Sequence, residues 1–469
     1  MASSATSSTP LPETEPQIEH IIIDIPKEIK DAKHGICCIY KVPPNLRKLN
    51  NGEAYTPHLI SIGPFHHKVP PKQEFQLMHT QKQRYFHYFW DRVTNKKALV
   101  KYKNFLKVKI EMIKNFYFEF DHTIKDDEFV DMIMLDSVFI LELFFRKSKE
   151  SEREKDYLFT TSWIYKGIQR DLLLLENQLP LYVLEQLYQK VCKDNNDTSF
   201  LELALNYFED YNPQRSKKDQ NEEMIKYCKK SCKHFTDLVR CFYLPKEVYA
   251  DEWSPSSHFK HINSEDKCVL KTASRLNEAG VSFEKVHHKS LLEIKFNKVQ
   301  ILNWFLCLGC LPCFRFVKTK LQIPQFKVHQ TTECVLRNLI ALEQCHYSNQ
   351  PFICNYVSLI DFLINTQEDV ELLVDKEIIV HELGSHAELA TMINGLCKNV
   401  VVTCNYYGKT SKNLNDHYYN YWKHYMGMLR SVYFRDPWRF SSTIVGVFIF
   451  LFAIAQFLRA TGIYHPRYY

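Results

Sequence analysis

This sequence predicts a mainly α fold: one large helical domain with a small antiparallel β-sheet, then a C-terminal transmembrane helix. Three observations carry that reading. Glycine is scarce, 12 residues in 469, which disfavours folds built on many tight turns. Apolar residues recur at helical spacing through most of the chain. The third is an uncharged run near the C-terminus, FSSTIVGVFIFLFAIAQFL over 440–458. With 45% hydrophobic and 14% aromatic residues the chain has ample material for a core. The expected organisation is a disordered N-terminus over 1–17, one domain over 18–435, the transmembrane helix over 440–458 and a short tail over 459–469.

The net charge is +6, spread thinly, whereas a nucleic-acid binder concentrates cations in a patch; no nucleic-acid partner is expected. Fifteen cysteines lie mostly within apolar helical patterns, and no secretory signal precedes them, so a reduced, cytosol-facing body is expected. The opening MASSATSSTPLPETEPQ is rich in Ser, Thr and Pro and has no apolar core, which points to disorder.

Order is expected from Ile18, with Ile22, Ile25 and Ile29 at helical spacing. Residues 37–67 carry Pro43-Pro44, Asn51-Gly52 and Gly63-Pro64 and read as an extended, turn-rich segment. His58, His66 and His67 within it lack an acid or cysteine at ligand spacing, so ordinary packing is preferred to a metal site. Phe75, Met78, Tyr85, Phe89 and Val93 form a helical stripe that leaves Lys82 and Arg92 outside it. The next helix, over 96–109, carries six lysines, read as a solvated face rather than one drawn to anionic lipid. Residues 129–145 contain eleven Leu, Ile, Phe or Val, but also Asp131, Asp136 and Glu142. Each central charge costs about 2.5–3.5 kcal/mol against about 0.3–0.6 gained per apolar residue, so this is a core helix rather than a membrane span.

The centre of the domain is placed at 171–188, DLLLLENQLPLYVLEQLY. It is too apolar for a surface, yet Glu176, Asn177 and Gln178 need partners once buried. The expectation is a core helix capped by Asp171, a polar kink at that trio, and a second core helix opened by Pro180. Further on, a helix over 268–279 should stop at Gly280. Strands follow over 281–286, 291–296 and 321–328. Thr366 with Asp369, and Ser385 with Glu388, mark helix starts. The second of these breaks the apparent HExxH of His381, Glu382 and His386: the histidines are five apart with a new helix starting between them.

Several long motifs resemble the plant family called domain of unknown function 247, also grouped as uncharacterised protein family 0481. They are IYKVPPNLR (39–47), AYTPHLISIGPFHH (54–67), MLDSVFILELF (134–144), DLLLLENQLP (171–180), NEAGVSFEK (277–285), RNLIALEQC (337–345) and DFLINTQEDVELL (361–373), with residues 433–438 after them. The resemblance implies a plant protein with one mainly helical domain and, usually, a C-terminal membrane segment. It brings no catalytic residues. One departure is an apolar stretch over 299–319 with Cys307, Cys310 and Cys313 as CxxCxxC, read as a hairpin-loop insertion without a fourth metal ligand.

The functional expectation is a membrane-tethered, non-enzymatic module that binds a protein partner not yet identified. No catalytic, cofactor or metal residues are expected; Asp171, Glu176, Asn177, Gln178 and Pro180 form a structural core motif. The rival is a hydrolase using buried carboxylates such as Asp136 and Glu176. The membrane segment is flanked by Trp438 and Arg439 before and Arg459 after. Lys423, Arg430, Arg435 and Arg439 on the near side outnumber Arg459 and Arg467 beyond, which favours a cytosolic body.

Overall fold

Between Asp126 and Ser148 the chain is apolar on nearly every face, and in the computed structural model it forms a 23-residue helix sunk in the core. The structure describes residues 36–48, 52–68, 71–192, 198–213, 221–250, 260–261, 269–287, 290–297, 319–420 and 437–461. Ile36 apart, these belong to one unit, Cys37–Tyr469. The expectations for residues 1–35, and for the cysteines of the insertion, lie outside the described residues.

Short turns aside, the helices before the sheets are α1 (Gln76–Arg92), α2 (Lys97–Val108), α3 (Asp126–Ser148), α4 (Ser162–Asp171) and α5 (Leu181–Val191). After them come α6 (Phe200–Tyr207), α7 (Asn221–Ser231), α8 (Phe235–Cys241) and α9 (Ala273–Glu278). Helices α1, α2, α5 and α6 pack around α3. The α1 stripe includes Lys82, contrary to expectation: it lies one turn beyond Met78 and is buried because Asp136 of α3 neutralises it. Arg92 stays partly exposed and pairs with Glu142, which also holds Arg146 at i+4. In α2 the residues Leu99, Tyr102 and Leu106 are buried, and the lysines point outward, Lys103 to Asp131 and Lys107 to Asp127.

The strands are β1 (Ser282–Val286), β2 (Lys295–Asn297), β3 (Lys320–Pro324), β4 (Phe326–Val328) and β5 (Ile379–His381). The expected antiparallel sheet is mixed instead: β3 lies between β1, which it pairs in parallel, and β2, which it pairs antiparallel. β1 and β2 are not a hairpin, because the link between them buries Leu291 and Leu292 and ties Ser290 Oγ to Tyr243 O at 2.6 Å. Asn297 faces Lys320 at one end of the antiparallel pair, and residues 299–318 of the expected insertion between them lie outside the described residues. β4 separates from β3 after Pro324 and pairs in parallel with β5. A two-residue antiparallel pair, Lys260–His261 with Cys404–Asn405, stands apart from these.

The C-terminal helices are α10 (Thr332–Cys345), α11 (Phe352–Leu363), α12 (Gln367–Asp375), α13 (His386–Leu396), α14 (Gly408–Tyr418) and α15 (Pro437–Ala460). Thr366 and Asp369 close a reciprocal capping box; Ser385 caps Glu388 N, while the Glu388 carboxylate turns to Gly384 N. Gly280 ends α9 with φ 88°, although that helix starts only at Ala273, after a Thr272 cap. Among the described residues no helix is long and apolar enough to cross a membrane. Trp438 and Arg439 fall in the first turn of α15, and Arg459, exposed, in its last.

Candidate functional site

The run Leu172–Leu173–Leu174–Leu175 is buried but not helical, which corrects the expected core helix. α4 ends at Asp171, so this residue caps nothing at an N-terminus; the chain then turns tightly until Pro180, the N-cap of α5. A buried turn survives only if each backbone polar group finds a partner. Gln178 Nε2 donates to Leu172 O and Leu174 O at 2.6 and 2.8 Å. Thr236 Oγ1 donates to Leu173 O at 3.0 Å, and Leu175 N donates to Asn338 Oδ1 at 2.9 Å. Gln178 Oε1 accepts Phe235 N at the head of α8, at 2.9 Å.

The same turn clamps a second, largely extended segment that belongs to no sheet. Asp171 Oδ2 accepts three successive backbone N–H groups, from His58, Leu59 and Ile60, at 3.0, 2.6 and 3.0 Å. Asn177 continues the ladder: Oδ1 accepts Ile62 N at 2.6 Å and Nδ2 donates to Ile60 O at 2.9 Å. Asp136 Oδ2 accepts Gly63 N at 2.9 Å, while its other oxygen accepts from Lys82 Nζ, which also donates to Ser61 O. Side chains thus replace a neighbouring strand for residues 58–63. Gly63 has φ 70°, and a Cβ there would stand 2.6 Å from Gln178 O, so no larger residue fits.

Glu176 extends the clamp to the N-terminal motif. Its Oε1 accepts Val42 N at 2.7 Å and its Oε2 pairs with Arg47. His66 Nε2 stands 3.2 Å from Oε2, outside good hydrogen-bond alignment. Burial alone pushes the Glu176 carboxyl up, but the neighbouring His66, Arg47 and Val42 N–H outweigh it and hold the group below its ordinary value. Glu176 is therefore an ionised anchor, the opposite of the raised carboxyl that a general acid needs. Beside it Ser61, His66, His67, Lys72, His79 and Lys82 line a cleft. Burial, and then the Lys82 charge, keep His79 below the usual histidine value.

The structure thus sets Asp171 and Asn177 on residues 58–62, Glu176 on Val42 and Arg47, and Gln178 on the turn itself and the head of α8, with Pro180 starting the next helix. His58, His66 and His67 do not converge as ligands: His58 is exposed, and His67 Nε2 approaches Glu128 at 3.3 Å. His381 Nε2 and His386 Nδ1 share a hydrogen bond at 2.8 Å, while Glu382 turns to His329. Sequence reasoning missed Lys82, Asn338 and His234 as members of buried polar networks. The signal for Asn338 was available: an amide inside the otherwise apolar face of VLRNLIAL.

His234 caps α8 through Nδ1, which accepts Asp237 N, and its Nε2 contacts Cys38 O at 3.0 Å. Burial pushes its value down to about 4. The unfolded chain, with histidine near 6.5, takes up the proton first. Stability from the neutral ring is therefore complete above about pH 6.5 and is lost as pH falls toward 4. The urea midpoint should drop over that interval, and His234→Gln should flatten the drop; an unchanged slope in the variant would assign the acid sensitivity elsewhere.

A sequence profile of DUF247, described as a plant protein of unknown function, matches residues 39–452. The chain is similar to the Arabidopsis thaliana protein named UPF0481 protein At3g47200, 28% identical over 443 residues, covering 91% of this chain and 87% of that protein. It is also similar to Putative UPF0481 protein At3g02645 of Arabidopsis thaliana, 23% identical over 524 residues and covering 92% of each. No solved structure matches this chain. Val42, Arg47, residues 58–66, Asp136, the 171–180 run and Asn338 come from five separate sequence motifs, and the clamp is where those motifs meet.

Proposed function

Because the chain belongs to DUF247, a plant family of unknown function, we propose its role from its own residues: a membrane-tethered, non-enzymatic module that binds a protein partner. The observation that carries the tether is the surface of α15. Phe448, Ile449, Phe450, Leu451 and Phe452 are consecutive and each is more than half exposed. At about 100° per residue, five positions go all round a helix. A helix apolar on every side is not the one-sided helix of a soluble core and is stabilised by lipid. Its 24 residues correspond to roughly 36 Å. The large N-terminal body then faces the cytosol, at the plasma membrane or an endomembrane, with Trp438 and Arg439 at the near interface and Arg459 at the far one.

The non-enzymatic reading is supported by how the buried carboxylates are used. Asp136, Asp171 and Glu176 each hold backbone N–H groups and a cation. A hydrolase built on Asp136 and Glu176 would have to release them from the clamp that shapes residues 58–63.

Carbonate extraction tests the tether on the full chain beside one truncated at Arg439, with protease added to intact microsomes. The full chain should stay in the pellet, the truncated chain should wash off, and protease should digest the body. Release of the full chain by carbonate, or protection of the body from protease, would refute this arrangement. For the partner, affinity purification in detergent should enrich proteins with the full chain over α15 and the tail fused to a fluorescent protein. Equal recovery with both would remove the body's role as a binding module.

A further inference from the structure

Three thiols meet at the end of α7. Cys228 is in its last turn, Cys232 lies just past it with its N–H bonded to Cys228 O at 2.9 Å, and Cys241 is the last residue of α8. Their sulfurs are buried and all lie within 4.8 Å of one another, and Cys232 Sγ and Cys241 Sγ are 3.2 Å apart. Buried cysteine is common as a small apolar residue, and Cys38, Cys354 and Cys404 are buried here without joining such a group. A triple convergence is different, because thiols are weak hydrogen-bond donors and gain little by facing one another. A metal ion gives the geometry a reason. Zinc–sulfur bonds of about 2.3 Å put neighbouring thiolates roughly 3.8 Å apart in a tetrahedron and about 4.0 Å apart in a trigonal plane. The observed sulfurs, one pair at 3.2 Å and all three within 4.8 Å, need only small shifts to reach that spacing.

We propose that Cys228, Cys232 and Cys241 form a three-thiolate site for one soft d10 metal ion, Zn2+ or Cu+, which fastens α7 to α8. Soft sulfur donors select such ions over Mg2+ or Ca2+. Among the described residues no imidazole or carboxylate joins the three sulfurs. Cu+ is satisfied by three sulfurs, whereas Zn2+ completes its shell with a water or another small donor. Binding is a proton exchange without redox change: each thiol that becomes a ligand loses one proton, and the metal–sulfur bond replaces the S–H bond. The site is independent of the membrane reading and involves none of the clamp residues.

The insertion, with Cys307, Cys310 and Cys313, is the obvious competitor, so the test begins by removing it. Full-length chain carrying Cys307→Ser, Cys310→Ser and Cys313→Ser is purified in detergent with a reductant and without oxygen. It is loaded with Zn2+ or Cu+ in separate arms, desalted, and measured by elemental mass spectrometry and X-ray absorption. The expected result in at least one arm is about one ion per chain, with three sulfurs at about 2.3 Å. Three sulfurs alone identify Cu+; three sulfurs and one lighter donor identify Zn2+. Adding Cys228→Ser should weaken retention at least tenfold, while Cys354→Ser should not. If Cys228→Ser fails to fold, the sulfur shell of the triple variant decides by itself. The proposal is overturned if neither ion survives desalting, if the ion disappears with the insertion cysteines, or if its shell is mainly nitrogen and oxygen. A Cys232–Cys241 disulfide in the reduced preparation overturns it as well.

Discussion

Asp171→Ala should sharply lower the yield of folded chain recovered in detergent, the largest loss expected from any single substitution in the clamp. The carboxylate is fully buried and accepts from His58, Leu59 and Ile60 N–H, and from Arg170 Nη1 at 2.7 Å. Alanine strands three donors, the buried Ile60 N–H and the partly buried His58 and Leu59 N–H; a buried donor left unpaired costs about 1–3 kcal/mol and a part-exposed one less. It also leaves Arg170 without its anion, a loss that for buried pairs runs to about 3–5 kcal/mol. These terms overlap, because Arg170 also donates to Thr56 O and Glu53 O and keeps those bonds. A loss of a few kcal/mol is already a large fraction of the stability of an ordinary domain, about 5–15 kcal/mol. Asp171→Asn keeps an oxygen for the N–H row but turns its amide donor toward Arg170 Nη1, so an intermediate loss is expected. Urea titration followed by circular dichroism compares the three proteins. An Asp171→Ala midpoint equivalent to less than about 1 kcal/mol of loss would mean that residues 58–60 do not depend on this carboxylate.

The need for such a clamp was legible in the sequence, but its partners were not. Three polar side chains inside an apolar run must be buried with partners, and composition alone establishes that for Glu176, Asn177 and Gln178. Which backbone they meet depends on contacts more than a hundred residues away in sequence, such as Asp171 with Ile60. Helical periodicity carries no information at that range. It also misassigned the four leucines, because an apolar run looks the same whether it is a buried helix or a buried turn. Lys82 was set outside the α1 stripe by its charge alone, although its spacing from Met78 put it inside, and its neutralising Asp136 sits on another helix. Strand direction was lost for a related reason: three short runs in a row suggest hairpins, whereas β1 and β2 reach opposite edges of β3. The Cys228, Cys232 and Cys241 group had a local trace, two cysteines at i and i+4, but its third member needs α8 folded back on α7.

The clamp also explains how residues 38–42 and 58–63 are held although they belong to no sheet. Ile39 N and Phe118 N reach across to Phe116 O and Ile39 O at 2.9 and 2.8 Å, Val42 rests on Glu176, and residues 58–63 rest on Asp171, Asn177 and Asp136. Ile39 makes an isolated parallel bridge with Tyr117, and residues 58–63 have side chains where a neighbouring strand would lie. Because the acceptors are carboxylates and amides fixed to α3 and the 171–180 turn, the position of residues 58–63 follows theirs. Asp136 of α3 is thereby bonded, at Gly63, to the segment that leads into the cleft residues His66 and His67.

In the C-terminal half the largest expected effect is at Arg240, a guanidinium with almost no exposure. Its Nε donates to Glu343 Oε1 at 2.8 Å, its Nη2 donates to Gln350 O at 2.7 Å, and its plane lies 4.0 Å from the Tyr347 ring. Glu343 is equally buried and spends its other oxygen on Cys354 N, the first turn of α11, at 2.9 Å. The pair therefore ties α8, α10 and α11 together. Arg240→Met keeps much of the volume but leaves Glu343 charged in a dry site, which costs about 3–5 kcal/mol. Glu343→Gln keeps an acceptor for Cys354 N and removes the anion, leaving Arg240 with one carbonyl and one ring; a loss nearly as large is expected. The double variant has neither stranded charge. It should recover about 1–3 kcal/mol relative to the sum of the single losses, the coupling expected of residues sharing one network. Thermal or urea unfolding of the four proteins closes the cycle. Strictly additive losses would mean that Arg240 and Glu343 act separately, with Arg240 held by Gln350 and Tyr347 alone.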